Sequence, residues 1–106
     1  MFGFFIKRRI KKYARQLPLE LKMMYGRQTF YSKEQVDAAI TRKKLSHNSS
    51  YAYAMLCSQS EFDEIHQAAG ETCDYIAMRS EISNAVFGGP MDFTVSMLVF
   101  EATRSK

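Results

Sequence analysis

Four side chains have the chemistry to ligate a metal or to pair as base and nucleophile: His47, Cys57, His66 and Cys73. They follow one another at intervals of ten, nine and seven residues, which matches no Cys-x2-Cys or His-x3-His ligand pair, so no metal site is expected. Cys57 or Cys73 with His66 and Asp63 or Asp74 supplies the residue types of a nucleophilic constellation, but no motif ties them together. The thiols read as free and half-buried, the histidines as surface or capping residues. Gly88-Gly89-Pro90 lacks the following lysine and the strand-loop-helix context of a phosphate loop and reads as a helix stop. Glu61, Asp63 and Glu64 lack the alternating oxygen ligands and central glycine of a calcium loop, and suit the first turn of a helix, where the macrodipole favours acids. The expectation is a non-enzymatic protein with no catalytic residues and no cofactor.

The stronger signal is cationic. Wound at about 100° per residue, residues 1–17 place Lys7, Arg8, Lys11, Lys12 and Arg15 on one side, with Arg9 at the boundary. Opposite them runs a stripe of Phe2, Ile6, Ile10, Tyr13 and Leu17. The five cations are the candidate contacts to an anionic partner, either a protein or another anionic surface. Non-specific nucleic acid is one such surface: Val36 to Leu56 has the rhythm of a helix-turn-helix, yet Tyr51 to Cys57 holds no Arg, Lys, Asn or Gln to read base edges, leaving only phosphate contact. An anionic membrane is another, with Phe2, Phe4 and Phe5 entering the interface, although packing on a small core needs the same stripe. Residues 1–44 carry twelve Lys or Arg against three acids, a net of +9, and residues 45–106 carry three against eight, a net of −5. This polarity can serve an external anion or let the acidic helices neutralise the basic one internally.

The elements that must position these groups are helical. A chain of 106 residues with only two prolines and five glycines suits one domain of about six or seven short helices. Leu17-Pro18 is expected to end or bend the first helix, leaving a second over Leu19 to Tyr25 that Gly26 caps. Ser32 and Gln35 form a capping box with Tyr31 and Val36 as its hydrophobic staple. Residues 46–50 read as a polar loop before the helical run Tyr51 to Cys57, and Ser58 with Glu61 repeats the capping box. Thr72 is expected to cap the next helix and Gly88-Gly89-Pro90 to stop it. Thr94 would cap the last, where Phe93 to Phe100 also suits a strand. Met23, Met24, Met55, Met78 and Met97 fall among core-type residues and are read as packing.

The segments MFGFFIKRRIKKYARQLP, YSKEQVDAA, YAYAM and FGGPMDFT together resemble a family of short gammaproteobacterial proteins of unknown function. The resemblance implies a free-standing, single-domain bacterial protein and brings no functional residue with it. A cytoplasmic setting is expected, because the apolar run Phe2 to Ile6 precedes the cations, the reverse of a secretory signal, and no run of about 18 apolar residues occurs. The reading is an all-α interaction module with a basic amphipathic N-terminal helix.

Overall fold

A computed structural model describes the backbone of residues 2–45 and 50–104 and the side chains of residues 7–45 and 50–104. The described residues form six helices: α1 (Phe2–Tyr25), α2 (Lys33–Arg42), α3 (Ser50–Leu56), α4 (Gln59–Ala68), α5 (Tyr75–Phe87) and α6 (Val95–Arg104). No strand occurs among the described residues. Most of the expected loop after α2, residues 46–49 including His47, lies outside the described residues.

Helix α1 is the axis of the molecule. Its 24 residues rise about 36 Å at 1.5 Å each, close to the longest dimension of the fold, 38 Å. It packs against α6, α5, α2 and α3, and most extensively against α6. Ile10, Tyr13, Ala14, Leu17 and Leu21 form one buried stripe along it.

The expected break at Leu17-Pro18 does not occur, and Leu19 to Tyr25 continues the same helix with Pro18 buried inside it. An interior proline costs about 3 kcal/mol, whereas each fully buried leucine contributes about 1.5–3 kcal/mol. Leu17 and Leu21, both 0% exposed, stand on either side of the proline, and keeping both in the core requires the helix to run on. It ends at Gly26, in the left-handed region at φ 80°, whose N–H donates to the Lys22 carbonyl at 2.9 Å.

Local capping signals set most of the other boundaries. Ser32 Oγ accepts from the Gln35 N–H while Gln35 Oε1 accepts from the Ser32 N–H, completing the expected box, and Tyr31 and Val36 are both buried. Helix α2 closes in a Schellman turn: the Leu45 N–H donates to the Ile40 carbonyl at 3.0 Å and the Lys44 N–H to that of Thr41 at 3.1 Å. The left-handed residue of that turn is Lys44, at φ 56°, where glycine is the usual occupant.

At α4, Ser58 Oγ accepts from the Glu61 N–H, but the Glu61 carboxylate does not complete a box on its own helix. It accepts instead from the Lys33 N–H at 2.5 Å, capping α2 from 28 residues away. Asp74, not Thr72, caps α5, accepting from the Ala77 N–H at 3.1 Å, because Asp74 adjoins the first helical residue, Tyr75. Gly88 takes φ 80° at its end, and Ser83 Oγ fixes the following turn by donating to the Gly89 carbonyl and accepting from the Met91 N–H.

Residues 95–104 are helix, capped by Thr94 Oγ1 accepting from the Met97 N–H at 3.2 Å. Val95, Leu98 and Ala102 are buried at helical spacing against α1, and the strand-forming composition of this segment yields to that packing. Of the methionines read as packing, Met55 is fully buried and Met24, Met78 and Met97 partly so, but Met23 is 81% exposed because the continuous α1 turns it away from the stripe.

Two stability measurements test these assignments. Lys44→Gly relieves the left-handed strain, and after allowance for the more flexible unfolded chain it raises stability by about 0.5–1 kcal/mol; a lower denaturant midpoint would contradict the Schellman geometry. Glu61→Ala removes a charge-assisted cap and costs about 1–2 kcal/mol, while Glu64→Ala, on the exposed side of the same helix, stays within about 0.5 kcal/mol. Equal losses at the two sites would overturn the role given to Glu61.

Candidate anion-binding surface

On α1, elementary helix geometry sends the cations outward wherever the apolar stripe turns inward. Ile10 and Leu17 are 1% and 0% exposed, and Tyr13 lies buried between them. Lys7, Arg8, Arg9, Lys11, Lys12 and Arg15 are all exposed. The side chains of Phe2, Phe4, Phe5 and Ile6 lie outside the described residues.

Between α1 and the end of α2 lies a groove of about 540 Å3. It is lined on α1 by Arg8, Arg9, Lys11, Lys12, Tyr13, Arg15 and Gln16, and just beyond α2 by Lys44 and Leu45. Among the described residues, no carboxylate lines it. Four of the five cations expected from sequence therefore share one concavity; Lys7 is exposed outside it. Arg9 and Lys44 were not among the expected contacts. Arg9 sits at the edge of the helical projection, so a wider sector would have included it. Lys44 has no sequence signal, because it reaches the groove through the left-handed backbone that ends α2.

The second half of the chain packs on α1 through α5 and α6 around the apolar cluster. The ion pairs Arg42–Glu20 at 2.5 Å, Lys43–Glu20 at 3.9 Å, Lys33–Asp37 at 2.7 Å and Arg104–Glu101 at 3.8 Å each lie within one half of the sequence. Glu20, buried on α1, thus holds the two cations that precede Lys44 and ties the end of α2 to α1. A separate cleft of about 220 Å3 is lined by Glu101 together with Lys11, Arg15 and the small apolar residues between α1, α5 and α6.

Of the groups with nucleophilic or ligating chemistry, Asp63, His66 and Cys73 line one shallow recess, and Cys57 is not part of it. Both ring nitrogens of buried His66 are engaged, Nδ1 donating to the Phe62 carbonyl at 2.8 Å and Nε2 paired with Ser50 Oγ at 2.7 Å. Cys57 is 0% exposed, and burial, reinforced by Glu61 and Asp37, pushes its thiol up to about 12. Cys73 is a half-buried free thiol beside a shallow recess shared with Asp63 and His66. No group of three or more His, Cys, Asp or Glu side chains with metal-binding geometry occurs among the described residues.

Tyr53 donates to Asp37 at 2.5 Å and is pushed upward in pKa by burial and by that carboxylate. Sequence reasoning also passed over Arg79. Its guanidinium donates to the Ala54 and Phe93 carbonyls and lies 3.9 Å above the Phe93 ring, locking α5 to α3 and to the approach to α6.

Among the described residues, no helix is long and apolar enough to cross a membrane. No curated protein and no solved structure matches the chain. A family model does match, over residues 1–106, so the breadth of the resemblance seen in the quoted segments is real. The chain with this cationic groove belongs to DUF6559, a family of unknown function.

Proposed function

We propose that the protein is a non-enzymatic cytoplasmic interaction module that docks a polyanion in the cationic groove of α1. The observation that carries this reading is the division of labour on α1. Its stripe from Ile10 to Leu21 is spent in the core, whereas five of its cations and Lys44 line a concavity that, among the described residues, no carboxylate lines. Clustered like charges repel one another, and an anion in the groove relieves that repulsion while gaining several contacts at once. The non-enzymatic part rests on His66, whose two ring nitrogens are both occupied although it shares a recess with Cys73, and on Cys57, held as a neutral thiol.

Retention on immobilised heparin, a sulfated polyanion, tests the groove. The natural protein should bind at about 50 mM salt and elute steeply as salt rises, and Lys11→Glu with Lys12→Glu and Arg15→Glu should abolish retention. These three side chains are exposed, so the far-ultraviolet circular dichroism should not change. No retention of the natural protein at low salt would sink the reading. For the thiols, an aromatic disulfide reagent at pH 8 should titrate Cys73 in the native protein and Cys57 only after unfolding. Rapid native reaction of Cys57 would reopen an enzymatic role.

A further inference from the structure

We infer that a trough at the starts of α4 and α5 docks a basic amphipathic helix of a partner protein, a role independent of the cationic groove on α1. Two adjoining concavities, of about 600 and 490 Å3, make up the trough. Gln59, Tyr75, Arg79 and Asp92 line both, so one continuous depression runs along the first turns of α4 and α5 beside the segment that leads into α6.

Exposed apolar surface is the first argument. Among the described residues six large apolar side chains stand out to solvent, and three of them, Phe30, Ile76 and Met91, line this trough at 43%, 68% and 46% exposure. Scattered single exposures are ordinary, but three that converge on one concavity from separate segments mark a surface that gains from being covered. They line the trough and yet stay this exposed, so a small ligand enclosed in it would leave much of their surface wet. A polypeptide segment lying along the trough covers them.

Charge is the second argument. The segments that form most of the trough, residues 57–64, 73–82 and 89–95, carry Glu61, Asp63, Glu64, Asp74, Glu81 and Asp92 against one cation, Arg79. The Arg79 guanidinium is already committed, donating to the Ala54 and Phe93 carbonyls. Asp92 is exposed, lines both concavities and makes no hydrogen bond or ion pair among the described residues. The charge on offer is therefore a carboxylate, and the complementary partner carries lysine or arginine beside its apolar side chains. A polyanion is repelled here, which separates this surface from the α1 groove.

Backbone chemistry is the third argument and selects a helix. An extended peptide in an apolar trough leaves its own N–H and C=O groups short of partners, and among the described residues there is no strand edge to pair with it. A helix satisfies those groups internally and presents apolar side chains three and four residues apart, with cations on its flanks.

Isothermal titration calorimetry of the full chain decides it, using two synthetic leucine–lysine peptides of about 14 residues, four helical turns. One places its leucines at i, i+3, i+4 and i+7, and the other has the same composition scrambled so that no stripe forms. The striped peptide should bind at least about tenfold more tightly than the scrambled one. Ile76→Ser combined with Met91→Ser should weaken it by about tenfold or more while the melting temperature holds, since both side chains are exposed. Asp92→Asn should weaken it about three- to tenfold at low salt, with the difference fading as salt rises. Lys11→Glu with Lys12→Glu and Arg15→Glu, which removes the cations of the α1 groove, should not weaken it.

Equal affinity for the two peptides, or full affinity in the Ile76 and Met91 variant, overturns the docking surface and leaves the polyanion reading standing. Full affinity in Asp92→Asn overturns the basic character given to the partner. If the protein alone dimerises in sedimentation and the Ile76 and Met91 variant does not, the trough belongs to a second copy of this chain and the assigned partner falls.

Discussion

The structure depends on one continuous apolar stripe, Ile10, Tyr13, Ala14, Leu17 and Leu21, laid against four other helices. Each of those helices is short, from seven to thirteen residues, and would be marginal alone in water. What makes them stable together is the shared surface that α1 offers along nearly the full length of the molecule. Burial on both sides of Pro18 outweighs the local penalty of the proline. That balance turns what would otherwise be a hinged basic arm into the central strut of the fold.

The placement of charge follows from the same constraint. With one face of α1 committed to the core, its lysines and arginines can only face away, and α5 and α6, each carrying one acid and one arginine, pack on it around the apolar cluster. Glu20 gathers Arg42 and Lys43, and Glu61 satisfies the start of α2. These two carboxylates draw α2 toward α1 and α4, and in doing so set Lys44 opposite the α1 cations. The groove is therefore a product of how α2 is anchored as much as of the composition of α1.

Much of the fold was legible in the residues. The Ser32–Gln35 box, the stops at Gly26 and Gly88 and the Thr94 cap are relations within a few residues, and each appears as expected. The readings that failed share a different character. Local chemistry points to a break at Pro18, to Thr72 as the cap of α5, to Glu61 serving its own helix and to Met23 in the core, and the structure differs at each. Three of the four were settled by partners distant in the chain, and the fourth by where α5 begins once Tyr75 is drawn into the core, its hydroxyl donating to the Cys57 carbonyl.

The sequence by itself determined that this is a helical protein, that residues 7–15 carry a one-sided cluster of cations, and that its reactive groups follow no ligand or nucleophile spacing. Those properties are written in periodicity and short-range hydrogen bonding, which act over one or two turns. Only the tertiary structure decided that α1 is unbroken, that its stripe is covered, and that Lys44 joins Arg8, Arg9, Lys11, Lys12 and Arg15 around one groove. The physical reason is range. Apolar burial and the Glu20 and Glu61 contacts link segments many residues apart, and their combined free energy exceeds the local preferences from which a sequence is read.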